Sequence, residues 1–467
     1  MILTDDSVIK LFQTKAPIGR RNMPDYALYN TQEECDYLLN HAIKELNLPV
    51  NRSPYTITLD TQLKLEFNTI YTQLTFSHSQ HHSKPDLIIY TEKGFTIFKL
   101  CISYKPIKHP ITRLGLSYFI LSQLGYRTTS SYLLCINPHF QIDQNTPSFF
   151  KRFNITSKTK NIASKISRYL ESISQQSNPH PHVNAKEPVT NLNDTHANTT
   201  IPDIFQLIDM PYKQKAFYYE EGILSFHDIL QSLSTLSDTQ RKQCLVETTQ
   251  QPFFEPSYLN SFLTNLTPNI QFFDIEACQF PYPIFFAKTP FETFPFLFSI
   301  HSLHTDTKKE DHTIQFFYPD SDFRREFAES LITHLNPNQS IIIFDATMER
   351  TLLLELAYLF PDLRNKLNKL LDQFVDISSL FLNHHIMLPG MQGKYSIKQI
   401  IHAITPTNPY DSLTIQSGFF ASHHYKTLIY DSNADKTAIK NTISDYCKMD
   451  TYSLVLIYNY LHSLSLK

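Results

Sequence analysis

The chain has 467 residues, 42% of them hydrophobic, with a formal net charge of −3 and six cysteines. That length allows two to three domains, and that composition supplies enough apolar side chains for real cores. Its eight glycines form neither G-x-x-x-x-G-K-[ST] nor G-x-G-x-x-G, which excludes ATP-loop and dinucleotide-loop chemistry and with it a nucleotide cofactor. The charge is uneven: residues 1–170 hold 20 Lys+Arg against 12 Asp+Glu, and the remainder 21 against 32. A basic front half suits a polyanion such as nucleic acid, and equally suits an ordinary solvated surface. The cysteines (35, 101, 135, 244, 278, 447) show no C-x-x-C, which argues for reduced thiols and a cytoplasmic setting. Asp5 and Asp6 stand where a signal peptide would need a basic end and an apolar core, and no run has the length of a membrane span.

In chain order, residues 31–47 predict a helix capped by Thr31, with Leu38, Leu39, Ala42, Ile43 and Leu46 on one face. Strand-like runs follow at 55–59, 63–67, 70–76, 86–90 and 95–103, the last two around a turn at Glu92-Lys93-Gly94. Leu114, Tyr118, Leu121 and Leu124 then keep helical spacing up to Gly125, and residues 131–136 read as another strand. Residues 175–201 are Ser, Asn, Pro, His and Thr, a flexible connector in which His180 and His182 read as linker histidines. From 202 to 266 the pattern is short helices, one capped by Ser225, with no catalytic constellation.

The back portion opens on strands at 270–276, 294–303 and 313–318, whose short connections suit an antiparallel meander. Ser321 is placed to cap a helix carrying Phe323, Phe327, Leu331 and Leu335. The run 340–344 has the character of a buried parallel strand. Helices are expected from 345, over 363–374, and over 438–464. The domain scheme is 1–172, a linker 173–201, a helical bridging segment 202–266, and 267–467.

The chemistry starts from Asp274 and Glu276. On a strand they share one face, and paired carboxylates repel unless a cation lies between them. Oxygen ligands of this kind favour Mg or Mn. Tyr446 and Asp450 stand at i, i+4 and share a helix face. The histidine pairs 384–385 and 423–424, and His78, His81 and His82, lack an acidic or cysteine partner at zinc spacing and read as loop or surface residues.

Three antiparallel strands, helix, parallel strand, helix, helix is the order of the ribonuclease-H-like fold, and here the back portion resembles the DEDD (DnaQ-like) exonucleases. The resemblance places the family's D-x-E at Asp274 and Glu276, its second acid at Glu349 and its Y-x-x-x-D at Tyr446 and Asp450. Where the broad family reads N-x-x-F-D, this chain has Asp345-Ala346-Thr347-Met348-Glu349, so that Asp345 adds a further acid. The front portion resembles the RecB-like PD-(D/E)XK nuclease core, with Asp86 as the first acid. It is degenerate, because Lys99-Leu100-Cys101 occupies the place of E-x-K and Ser117 that of a helical Gln. The pairing is similar to an uncharacterised bacterial domain-of-unknown-function family, number 2779. The match is carried by stretches such as Phe273–Glu276, Pro281-Tyr282, residues 356–362, Val375-Asp376, residues 393–398, Pro409-Tyr410 and Tyr446–Thr451.

An α/β protein of two such domains is therefore expected. The resemblance implies a metal-dependent 3′–5′ exonuclease acting on DNA or RNA, with two Mg or Mn ions held by Asp274, Glu276, Glu349 and Asp450 and with Tyr446 positioning the attacking water. Lys398 is the candidate for a backbone phosphate. Asp345 and Asp376 are taken as supports around the site. Lys99, Lys105, Lys108, Arg113 and Arg127 are the front domain's candidates for a nucleic-acid grip. The rival reading is a nucleic-acid-binding or assembly protein with no catalysis; a third keeps cleavage in the front domain through Asp86.

Overall fold

The computed structural model describes residues 32–59, 61, 65–142, 148–175, 202–233, 235–283, 287–304 and 309–466. The amino-terminal stretch, the Thr31 cap, Leu63, and the connector from 176 with His180 and His182 lie outside the described residues. The chain is mixed α/β and divides into two compact units, one of residues 1–191 with 280–292, the other of residues 192–279 with 293–467.

In the first unit, α1 (Gln32–Leu46) precedes short strands β1 (Val50–Asn51), β2 (Tyr55–Ile57), β3 (Ile70–Tyr71), β4 (Leu74–His78) and β5 (His81–Ser83). Strands β6 (Leu87–Thr91) and β7 (Gly94–Cys101), helix α2 (Lys108–Gln123), strands β8 (Thr128–Ile136) and β9 (Phe150–Asn154), and helix α3 (Thr156–Gln175) complete it. Six strands form one mixed sheet in the order β1-β3-β6-β7-β8-β9, while β2, β4 and β5 form a separate sheet. Alternation along the strands makes the layers. Leu87, Phe98, Leu134 and Ile136 face α1 through Leu38, Ala42 and Ile43. Ile88, Ile97, Leu133 and Cys135 face Leu114, Ile120 and Leu121 of α2 and Ile166 of α3. Segment 280–292 joins the α1 side, where the Tyr282 ring stacks on His41 at 4.2 Å between centroids.

The second unit begins with α4 (Tyr212–Glu220), α5 (Phe226–Ser232), α6 (Asp238–Thr249), β10 (Phe253–Phe254) and α7 (Pro256–Thr264). Ser225 caps α5 in a capping box with Asp228, as its sequence predicts. The main sheet follows: β11 (Asn269–Gln279), β12 (Thr293–His304) and β13 (Lys309–Phe316), then α8 (Arg324–His334), β14 (Ser340–Ile343), α9 (Thr347–Leu359), α10 (Arg364–Leu371) and β15 (Phe374–Asp376). Its order is β13-β12-β11-β14-β15, antiparallel across the first three strands and parallel from β11 to β15. After α11 (Ser378–Leu382) and β16 (Ile386–Met387), which pairs with β10, come α12 (Ile397–Ile404), α13 (Gly418–Tyr430) and the long α14 (Lys436–Ser465). The segment expected to bridge domains is thus tied into this second unit by the β10–β16 pair.

Three local expectations are corrected, the first being the strand over 63–67, whose described residues 65–67 form none. Ser321 does not cap α8; Asp322 accepts the Arg324 backbone N–H at 3.1 Å and pairs with its guanidinium. The helix expected through 374 stops at Leu371, because Phe374 and Val375 are drawn into the sheet against Ile341 and Ile342. Helices α3 and α11 to α13, and strands β9, β10 and β16, have no counterpart in the sequence reading.

Candidate metal centre

Parallel pairing fixes where the acids meet. Phe272 pairs with Ile342, so the carboxyl ends of β11 and β14 lie at the same edge of the sheet. Asp274 and Glu276 project there from β11, while Phe272, Phe273 and Ile275 are buried around them. A bulge after Glu276 shifts the register with β12, and pairing resumes from Ala277 to Gln279. The chain leaving β14 turns through Asp345 at φ +59° and opens α9, whose first turn presents Glu349 inward, 4% exposed.

Asp376 at the end of β15 holds that turn. Its carboxylate accepts the backbone N–H of Asp345 at 3.0 Å, of Ala346 at 3.3 Å and of Ser378 at 2.9 Å, and the Ser378 hydroxyl at 2.7 Å. Asp345 accepts the Thr347 hydroxyl at 2.7 Å, and its charge bears on Glu349. Both residues thus act around Glu349.

Helix α14 supplies the opposite wall. Tyr446, Cys447, Asp450 and Thr451 form one buried stripe. The Cys447 thiol donates to Asp274 Oδ2 at 3.3 Å, and among the described residues Asp274, Glu276 and Cys447 place ligand atoms within 4.8 Å of one another, a group that includes neither Glu349 nor Asp450. Asp450 Oδ1 accepts the Tyr410 hydroxyl at 2.5 Å, and the Ser453 hydroxyl donates to the Tyr410 oxygen at 3.0 Å. Thr451 bonds to Ser299 at 2.7 Å and His301 at 2.8 Å, and Ser299 to His312 at 3.0 Å, which fixes the helix against β12 and β13. The first turn of α13 closes on Glu276: a Cβ on Gly418 would stand 3.3 Å from Glu276 Oε2.

The electrostatics follow from burial. Desolvation, then the charge of Asp450, holds the carboxyls of Asp274 and Glu276 well above the usual range. Burial pushes Glu349 up to about 7 and Asp450 up to about 6. Glu349 Oε2 is buried with no hydrogen-bond partner among the described residues. Burial and the surrounding acids raise the Tyr446 phenol, so it stays a neutral donor, bonded to Asp450.

Lys398, the candidate for a phosphate, lies beside the cluster, against Tyr410 and Tyr446. Its Nζ donates to the Gln416 carbonyl and to the Tyr446 oxygen at 3.2 Å, and sits over the rings of Tyr410 and Tyr446 at 5.0 and 4.8 Å. Gly393, at φ +68° with the Gln206 carbonyl where a Cβ would stand, makes the turn that feeds α12.

The sequence reading gave no role to Tyr410, Cys447, Thr451, Ser299 or Gly418. The first three lie in the quoted stretches 409–410 and 446–451, and only the fold shows what they touch. In the first unit, Asp86 is occupied by Lys99 Nζ at 2.6 Å and by the Leu100 N–H at 2.7 Å. Lys99 is therefore paired, while Lys105, Lys108 and Arg127 are exposed and Arg113 is half-buried on α2. Ser117 is buried and bonds to Ser83 at 2.7 Å. His385 pairs with Glu255 at 2.9 Å and stacks on Tyr258, a structural role.

A cleft of about 520 Å³ lies along the other face of α14, lined by residues including His301, Glu310, Asp311, His312, Lys448 and Tyr452. None of the four carboxylates lines it, so it is not where we place the chemistry. All six cysteines are free thiols, and among the described residues no helix is long and apolar enough to cross a membrane.

A protein-family model described as Domain of unknown function (DUF2779) matches residues 271–396. The match runs from within β11 to the residue capping α12, taking in Asp274, Glu276, Glu349 and Asp376 and stopping short of Lys398, Tyr410 and α14. No curated protein matches the chain.

Proposed function

We propose that the second unit is a divalent-metal-dependent 3′–5′ exonuclease of the DEDD (DnaQ-like) kind on a ribonuclease-H-like sheet, acting on DNA or RNA. The observation that carries this reading is the buried meeting of Asp274 and Glu276 with helix α14, their ligand atoms within 4.8 Å of each other and of the Cys447 thiol, with the charges of Asp450 and Glu349 bearing on Asp274. Four oxygen-donor acids in a dry site fit a hard cation such as Mg or Mn. A cation held there supplies charge against the phosphate's developing negative charge and lowers the pKa of a bound water.

The chain's own residues do the rest. Asp450, held by the hydroxyls of Tyr410 and Tyr446, would take part in holding the cation. Tyr446, a neutral phenol, orients the attacking water rather than taking its proton. Asp376 and Gly418 keep Glu349 and Glu276 aimed inward. The first unit we read as a PD-(D/E)XK-like domain without catalysis, since Asp86 is neutralised by Lys99. Its exposed Lys105, Lys108 and Arg127 can contact phosphates.

The test is degradation of 3′- and 5′-end-labelled DNA and RNA oligonucleotides with Mg, Mn or chelator. Stepwise shortening from the 3′ end, lost with chelator and with Asp274→Asn, is expected. Loss of activity in Asp86→Ala but not in Asp450→Asn would move the chemistry to the first unit. Inertness with every substrate and metal would leave a binding or assembly role.

A further inference from the structure

Among the described residues, the ligand atoms gathered at the sheet edge belong to two acids and a thiol. A carboxylate oxygen of Asp274, one of Glu276 and the Cys447 Sγ all lie within 4.8 Å of one another, and neither Glu349 nor Asp450 belongs to that group. Bonds of about 2.0–2.3 Å from oxygen and sulfur to a divalent ion place opposed donors about 4–4.5 Å apart. Three atoms this near one another need little movement to share one ion.

The fold sets each of the three. Cys447 is wholly buried on α14, and its Sγ stands 3.3 Å from Asp274 Oδ2, to which it donates, and 4.0 Å from the Asp274 backbone oxygen. Glu276 is 6% exposed, and among the described residues its carboxylate accepts no hydrogen bond. Gly418 leaves that carboxylate its space, since a Cβ there would stand 3.3 Å from Oε2. A buried carboxylate with no donor is costly unless it is protonated or meets a cation. Glu276 is therefore the group that calls for an ion, and the thiol is within reach as a third donor.

Resting on the metal-dependent reading above, we propose that Cys447 is itself a ligand, so that Asp274, Glu276 and the Cys447 thiolate select a borderline divalent cation such as Zn or Co over Mg. Carboxylates alone suit a hard ion; a thiolate is a soft donor, and its presence moves the preference towards softer ones. On binding, the S–H bond gives way to a sulfur–metal bond and the proton leaves to solvent; nothing is oxidised or reduced.

Titration of the metal-free full chain with CoCl2, followed by ultraviolet absorption and calorimetry, tests this. We expect a sulfur-to-cobalt charge-transfer band that is lost in Cys447→Ser and kept in Cys278→Ser, a buried thiol on the same strand but outside the group. Zn should abolish the band at equal concentration and Mg should not. Cobalt bound without the band, a band that survives in Cys447→Ser, or a band abolished by equimolar Mg overturns the inference while leaving a metal-dependent enzyme with oxygen ligands standing. Neither Co nor Mn bound by the wild type overturns it together with the functional reading. Should Cys447→Ser fail to fold, as read by circular dichroism, Asp274→Asn takes its place: loss of the band at equimolar cobalt supports the inference and its persistence overturns it.

Discussion

A buried carboxylate oxygen without a partner destabilises a fold unless it is protonated or a cation arrives. Glu349 is in that position, with its carboxyl pushed up to about 7 by burial and by the charges of Asp345 and Asp376. Near pH 8 and without metal it ionises at a cost to the folded state. From an ordinary value of 4.5, that cost is on the order of 3 kcal/mol at most. Glu349→Gln should therefore raise the melting temperature of the metal-free protein at pH 8 and remove most of the stabilisation that Mn gives the wild type. Differential scanning calorimetry with and without Mn measures both. A Glu349→Gln protein that melts lower than wild type in chelator would show that the carboxylate has a partner after all.

At the scale of elements, two devices aim the acids. The first is the turn between β14 and α9, where Asp376 gathers three backbone N–H groups and one hydroxyl. Asp376→Ala frees the positive-φ turn at Asp345 and lets Glu349 drift, so Mn affinity should weaken about 10-fold or more, read by calorimetry. Unchanged affinity would mean that packing of α9 alone sets the position. The second device is the polar lock of α14: Thr451 shared by Ser299 and His301, with His312 behind. Thr451→Val keeps the shape and removes the hydroxyl, leaving Ser299 and His301 short of a buried partner. The expected loss is about 1–3 kcal/mol by chemical denaturation. The double variant Ser299→Ala/Thr451→Val should recover part of it.

Over the whole molecule these groups set a pH profile of stability. The four carboxyls have raised values, so the folded state binds protons that the unfolded chain releases; stability falls as pH rises from their ordinary values near 4 up to the folded ones, about 6 for Asp450 and about 7 for Glu349. His301 and His312 are pushed the other way by burial, to about 3 and about 4, so stability is lost as pH falls below the ordinary 6.5. Between about pH 4.5 and 6 the four carboxyls outweigh the two histidines, so the metal-free protein should melt highest at the acid end of that range and lower towards pH 7 and above. Mn should lift the alkaline side and leave the acid side unchanged. A flat alkaline side in chelator would show the acids already compensated, and a melting scan from pH 4.5 to 8.5 distinguishes the two.

Much of this was legible in the chain alone, for identifiable reasons. Strict alternation put Asp274 and Glu276 on one face of β11, and helical spacing put Tyr446 with Asp450, because both patterns are local and periodic. The short elements escaped: Phe374–Asp376 is a strand only because β14 is there to pair with it, and residues 378–430 fold into short helices whose signals are weak. What tertiary structure decided is which distant groups face one another. No spacing relates Tyr410 to Asp450, Cys447 to Asp274, or Lys398 to Tyr446; those meetings depend on where α12 and α14 and the segment with Tyr410 come to rest. Residue chemistry along the chain determined that acids and a tyrosine are present at a strand and a helix. Through-space charge and burial, which a linear pattern does not encode, decided that one carboxylate oxygen, on Glu349, is buried without a partner among the described residues.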